Sequence, residues 1–131
     1  MINVTCAIIL NERDEVFVAQ RSSAMQLPLK WEFPGGKVEE GETLQDCLRR
    51  EIKEEFDVSI KIVKQLPPNE HQYLGKNIKL IPFLCSWTTG KICLKEHVDY
   101  KWSHPKNLLD LDWAEADIPI VKNYLAQLDG I

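Results

Sequence analysis

Residues 3–10 are rich in Val, Ile and Leu and predict a strand. Polar Asn11–Asp14 interrupts the run, and Val16–Gln20 resumes it, so the chain opens as a hairpin. Residues 22–30, with Pro28, predict an irregular loop, and Trp31–Phe33 a short aromatic strand stopped by Pro34-Gly35-Gly36. Over 43–56 the period changes. Leu44, Cys47, Leu48, Ile52 and Phe56 recur at helical spacing and form one apolar stripe. Thr43 precedes the stripe as an N-cap, and Asp46 three residues later resembles a capping box. Strands are expected at 58–65, 69–75 and 78–88, then a turn at Thr88-Thr89-Gly90, and strands at 91–95 and 99–103. Ser103-His104-Pro105 starts a short helix, with proline tolerated in the first turn, and 117–128 forms the last helix. With no repeat or linker, strands mixed with a few helices predict one α+β domain over 1–131, layered as an α/β/α sandwich.

At 131 residues the chain can bury a real core without a metal or disulfide staple. Its net charge of −4 argues against a general nucleic-acid binder, which needs a basic excess. A small anionic substrate needs only a local basic site, often with a cation. Cys6, Cys47, Cys85 and Cys93 form no C-x-x-C pair, so zinc and thioredoxin-like spacing are absent. Free thiols in a reducing, cytoplasmic setting are expected. The first residues lack a signal-peptide pattern, and no apolar stretch approaches the roughly 20 residues that span a bilayer, so no membrane partner is expected.

The distinctive feature lies on helix 43–56. Glu51, Glu54 and Glu55 stand at i, i+3 and i+4 and share a face, with Glu42 just before the first turn. Like charges at i,i+4 cost a helix a few tenths of a kcal/mol, about 0.2–0.5 per pair. Converging carboxylates suit a hard divalent cation, which takes oxygen ligands. A solvated acidic face, neutralised by Arg49, Arg50 and Lys53, is the competing reading of the triplet alone.

The surrounding residues bear on that choice. Gly36, Glu42, Arg50-Glu51-Ile52, Glu54-Glu55 and Val58 stand at the spacing G-x5-E-x7-R-E-U-x-E-E-x-G-U, where U is aliphatic, and match eight of its nine defined positions. The segment 36–58 thus resembles the Nudix box. Trp31–Glu39 is similar to the approach to the box in the MutT-like branch, Arg21 ends the second strand as in that branch, and Ala116-Asp117-Ile118-Pro119 resembles its C-terminal helix start. One position departs: Asp57 stands where the box carries glycine. That residue follows the helix, where a left-handed backbone is common, and Asp adopts it at a cost of about 1 kcal/mol.

The resemblance implies the Nudix fold, a mixed central β-sheet flanked by helices, and hydrolysis of a nucleoside triphosphate to monophosphate and pyrophosphate. It implies Mg²⁺, with Mn²⁺ as a substitute, held by Glu51, Glu54 and Glu55 with the Gly36 carbonyl. Glu51 or Glu54 would orient or deprotonate water, and Arg50 would orient a neighbouring glutamate. Lys37 would lie near the phosphates, and Glu42 would be a structural partner of the loop. Glu96 is a further candidate ligand, equally readable as a surface residue. Arg21, Trp31, Phe33 and Asp117 are candidates for base recognition, although Trp31 or Phe33 could be wholly structural. His71, His97 and His104 show no metal spacing and are expected to be surface or structural, with His71 also able to line a pocket. The substrate is expected to be (d)CTP or a 5-substituted dCTP, with 8-oxo-dGTP as the alternative and a non-catalytic nucleotide-binding regulator as a third reading. Such regulators usually lose box glutamates, which are kept here. A monomer or homodimer is equally compatible.

Overall fold

A computed structural model describes residues 1–129 of the chain. Its strands are β1 (Ile2–Leu10), β2 (Val16–Gln20), β3 (Trp31–Glu32), β4 (Gly35–Lys37), β5 (Ser59–Gln65), β6 (Asn69–Tyr73), β7 (Lys76–Thr89) and β8 (Asp99–Ser103). Two α-helices, α1 (Leu44–Phe56) and α2 (Ile118–Asp129), are joined by two 3₁₀ turns, Pro105–Asp110 and Glu115–Asp117. The strands form one mixed sheet in the order β3-β2-β1-β7-β5, with β4 also on β1, β6 on β7 and β8 on β2. β1 runs parallel to β7 from Ile2↔Ile78 to Leu10↔Ser86, while its other pairings are antiparallel.

The two-residue period of β-strands explains the layers. In β1 and β2, Cys6, Ile8, Val16 and Val18 point to one face and join Leu108, Ile120, Val121 and Tyr124 beneath α2. Ala7, Ile9, Phe17 and Ala19 point to the other and join Leu48, Ile52 and Phe56 of α1, together with Ile81 and Phe83 of β7. Both faces of the sheet are therefore covered, in the expected α/β/α arrangement. Each fully buried Leu, Ile or Phe contributes about 1.5–3 kcal/mol, enough to fix α1 firmly against the sheet.

α1 begins at Thr43, whose Oγ1 accepts the Asp46 N–H at 3.1 Å. It ends at Asp57, which takes the left-handed conformation (φ 57°, ψ 38°) while its N–H closes on the Lys53 carbonyl. The carboxylate of Asp57 also meets Lys53 Nζ at 2.8 Å, so the box's missing glycine leaves the helix exit intact.

Two sequence expectations are corrected. Residues 91–95 are not a strand: Cys93 N–H bonds the Phe56 carbonyl and Lys95 N–H the Glu55 carbonyl, at 2.9 and 3.2 Å. The segment serves the unpaired carbonyls at the end of α1 instead of a sheet partner. The Gly35-Gly36 pair expected to end a strand begins one, β4, which pairs with β1 because a Cβ at Gly35 would strike the Thr5 carbonyl and Cys6 backbone. β6 and β7 form a tight hairpin whose turn residues Leu74 and Gly75 both have positive φ, 49° and 75°, as a type I′ turn requires. Among the described residues no helix is long and apolar enough to cross a membrane.

Candidate active site

α1 lays its acidic face beside β4. Glu51 packs directly on Gly36, where any Cβ would collide with its carboxylate. Arg50 organises the neighbouring acids. Its guanidinium grips Glu42 with Nε and Nη2 at 2.6 and 3.1 Å, while Nη1 reaches Glu51 at 2.9 Å and Glu54 at 3.2 Å. Nη2 also donates to the Lys37 carbonyl at 3.2 Å, which ties α1 to β4. This two-pronged contact is geometry that lysine cannot reproduce. It holds the Glu42 carboxyl well below the usual carboxylate range, helped by the Glu39 N–H that Glu42 also accepts.

The three helix glutamates are not equivalent. Glu54 is 60% exposed and leans on Arg50, whereas the Glu51 side chain is only 16% exposed. Glu55 is half-buried, and its Oε2 is fully buried with no hydrogen-bond partner among the described residues. Burial, then the charges of Glu51 and Glu32, push its carboxyl well above the ordinary carboxylate range. A buried carboxylate oxygen with no donor is costly unless something cationic meets it. Among the described residues no three Asp, Glu, His or Cys side chains form a closed metal cage. Magnesium does not need one, since it keeps several waters and uses one or two carboxylates together with substrate oxygens. The orphaned Glu55 oxygen and the Gly36 cradle beneath Glu51 fit such an ion.

A cavity of about 350 Å³ adjoins this face, and Gly36, Lys37 and Glu55 contribute to its wall. So do Phe33, Asp117 and Arg21 from the sequence candidates, and His71 from β6. That volume suits a small-molecule ligand, for which pockets of roughly 300–1,000 Å³ are usual. Trp31 lies off the cavity wall, buried beneath the Lys101 ammonium, which sits 4.6 Å from its ring centre. Glu96 is exposed, close enough to Glu55 for its charge to raise that carboxyl. Arg21 is engaged within the protein, its Nη1 on Glu32 and its Nε on the Gln26 carbonyl, at 2.7 and 2.6 Å.

Asp117 is buried and accepts the Phe33 N–H on Oδ2 at 2.8 Å. Burial, followed by the charge of Glu32, pushes its carboxyl up to about 8, against the opposing Phe33 bond. Folding thus favours the protonated acid. Its stabilising contribution is complete below the ordinary Asp range and is lost as pH rises toward 8. Asp117→Asn keeps a carbonyl for Phe33 and removes this dependence. Its stability advantage over wild type is expected to grow between pH 5 and pH 8 in urea titrations. Parallel curves for the two proteins across that range would refute the assignment.

One residue here has no role in the sequence reading. Glu32 bonds Arg21 with one oxygen and His97 with the other, and His97, expected to be surface or structural, is buried. The one available signal was a charged residue set between two aromatics in a short strand, which needs buried partners.

The chain is similar to known proteins over most of its length. The NUDIX domain family model matches residues 1–124. The chain is 32% identical over 127 residues to the CTP pyrophosphohydrolase of Escherichia coli K12, covering 96% of this chain and 93% of that one. It is 28% identical over 120 residues to the 8-oxo-dGTP diphosphatase of the same organism, covering 92% and 93%. The crystal structure of a MutT protein from Methanosarcina mazei Go1 superposes with a TM-score of 0.87 at 23% identity, covering 98% of this chain and 94% of that one, and shares the fold. The chain belongs to the Nudix family of hydrolases.

Proposed function

We propose that the chain is a divalent-cation-dependent pyrophosphohydrolase of nucleoside triphosphates, with (d)CTP or a 5-substituted dCTP preferred. The observation that carries this reading is the Glu55 oxygen, buried without a partner among the described residues, on the wall of a nucleotide-sized cavity that Gly36 also lines. Glu51, Glu54, Glu55 and the Gly36 carbonyl would hold Mg²⁺ or Mn²⁺, with Glu96 as a further ligand. Bound there, the cation neutralises polyphosphate charge and aligns the reacting oxygens.

The protein's own groups do the rest. Arg50 holds Glu51 in one orientation, so that its free oxygen faces the reacting water and takes a proton from it. Water adds to one phosphorus of the α–β anhydride, and the bond from that phosphorus to the bridging oxygen breaks. Nucleoside monophosphate and pyrophosphate leave. Lys37, on the cavity wall, stabilises charge on the departing phosphates. Phe33 and Asp117 line the base end of the pocket in this reading, with Asp117 presenting a hydrogen-bonding edge.

The full-length similarity to a CTP pyrophosphohydrolase supports the cytidine preference. An 8-oxo-dGTP substrate is the second reading, supported by relatives of that name, one of them 40% identical over 102 residues. The test is pyrophosphate release from CTP, dCTP, 5-methyl-dCTP, dGTP and 8-oxo-dGTP with Mg²⁺ and with chelator. Mg²⁺-dependent release with the highest kcat/KM on a cytidine nucleotide is expected. A highest kcat/KM on 8-oxo-dGTP selects the second reading, and no turnover of any triphosphate rejects both.

A further inference from the structure

Glu96 is the candidate ligand whose placement needs explaining, because it stands in a segment with no sheet partner. Three contacts fix the chain around it. Lys95 N–H bonds the Glu55 carbonyl at 3.2 Å, and Val98 N–H bonds the Gln20 carbonyl at 3.0 Å. The third is a side chain: His97 Nε2 lies 2.7 Å from Glu32 Oε2, with the imidazole fully buried and tilted over Phe56 at 5.1 Å between ring centres. A carboxylate acceptor places the shared proton on Nε2. His97 Nδ1 is buried with no partner among the described residues, so this single bond is the ring's polar anchor.

Glu32 is itself clamped from the opposite side. Its Oε1 accepts Arg21 Nη1 at 2.7 Å, and Arg21 Nε binds the Gln26 carbonyl in the loop that lines the cavity. One carboxylate therefore joins the cavity loop to the Glu96 segment. A pair serving only the core would be replaceable by apolar residues, since buried polar pairs seldom add net stability. What the pair does supply is direction.

We propose that His97, through Glu32, is a positioning residue that sets Glu96 against Glu55, and that Glu32 is the shared anchor of the Glu96 segment and the cavity loop. The proposal rests on the reading of these glutamates as a cation site. His97 acts through its neighbour and touches no substrate. Removing an outer partner of a metal ligand typically costs about 10–100-fold in metal affinity or activity.

Two amides of different reach make the test. Gln at 97 can place its amide nitrogen where Nε2 lies, while Asn falls short of Glu32. Mn²⁺ binding is measured by the loss of free-ion EPR signal, without nucleotide, alongside kcat and KM well below the thermal midpoint. His97→Asn is expected to bind Mn²⁺ about 10–100-fold more weakly and to lose kcat more than KM. His97→Gln is expected to retain both within about threefold. Equal Mn²⁺ affinity and kcat in His97→Asn and wild type, with only the thermal midpoint lowered, would overturn the proposal. So would equal losses in both variants when both are folded. If His97→Asn does not fold, Glu32→Gln, which keeps the shape but removes the anchoring charge, must weaken Mn²⁺ binding, and unchanged binding there overturns it too. Failure of the underlying reading looks different: the wild type itself would neither bind Mn²⁺ nor hydrolyse any triphosphate.

Discussion

Glu55→Gln is expected to lower kcat by about 10²–10⁴-fold while leaving the protein at least as stable as wild type in the absence of metal. The two effects have one cause. Glu55 is half-buried on the cavity side of α1, with one buried oxygen lacking any donor among the described residues and with Glu51, Glu32 and Glu96 near enough to raise its proton affinity. Without a cation, folding forces this carboxyl to take up a proton that the unfolded chain would have lost. The sign follows from linkage: stability is greatest at low pH and falls as pH rises through the elevated range. Gln is neutral at every pH, so the variant escapes that fall. What the amide cannot do is offer a charged oxygen to a cation. Wild type should gain thermal stability with added Mg²⁺ as bound ligand favours the folded state, and the variant should gain much less. Kinetics and melting curves with and without Mg²⁺ decide the matter. A Glu55→Gln enzyme with wild-type kcat would remove Glu55 from the site.

This expected opposition between stability and chemistry would set α1 apart from a solvated acidic face. A surface helix would have no reason to bury one glutamate oxygen without a donor, nor to gather Glu42, Glu51 and Glu54 around one arginine. The single guanidinium offsets the repulsion of four carboxylates, those of Glu39, Glu42, Glu51 and Glu54, and leaves Glu55 uncompensated. Functional sites are where local rules of stability are expected to fail.

How far these features were legible depended on the range of the interactions behind them. Helix α1 was readable to within a residue, because its stripe, its Thr43 cap and its Asp57 exit are all local. That Arg50 orients a neighbouring glutamate was expected from the resemblance alone, and the structure puts its guanidinium on Glu42, Glu51 and Glu54. Residues 91–95 were misread because a short stretch with Ile92 and Leu94 looks like a strand. What decides its conformation is the carbonyls of Glu55 and Phe56, nearly forty positions earlier. β4 was hidden because glycine carries no strand signal, and what explains the two glycines lies far away in the chain, the β1 backbone for Gly35 and the Glu51 carboxylate for Gly36. The Glu32–His97 bond links residues 65 apart in the chain, so no window of sequence contains it. Trp31 and Phe33 illustrate a different limit. Both are buried and belong to one apolar cluster, yet only Phe33 also reaches the cavity wall, and hydrophobicity does not distinguish these fates.

Gly36→Ala is the second large effect: kcat is expected to fall by about 100-fold or more in a protein that still folds. The added methyl would occupy the space of the Glu51 carboxylate, whose three terminal atoms are the nearest neighbours of that position. A side-chain tip can rotate away, so the backbone of β4 need not move. The cost to stability is that of modest overpacking, about 1–3 kcal/mol. Rotation, however, takes Glu51 off the Arg50 Nη1 donor at 2.9 Å and out of the place beside Gly36 where the fold holds its carboxylate. A displacement of about 1 Å is enough for a 10²-fold loss when reacting groups must be aligned. The neighbouring glycine supplies the control. At Gly35 an added Cβ meets the Thr5 carbonyl and lies 2.7 Å from Cys6 Cα, all of it backbone in the central strand, which cannot yield. Gly35→Ala should therefore fail to fold, where Gly36→Ala folds and fails to turn over. Circular dichroism and thermal melts separate the two variants, and pyrophosphate release measures the second. Normal turnover by folded Gly36→Ala would mean that the Glu51 carboxylate is free to work elsewhere, and the assignment of β4 as the floor of the reaction site would fall with it.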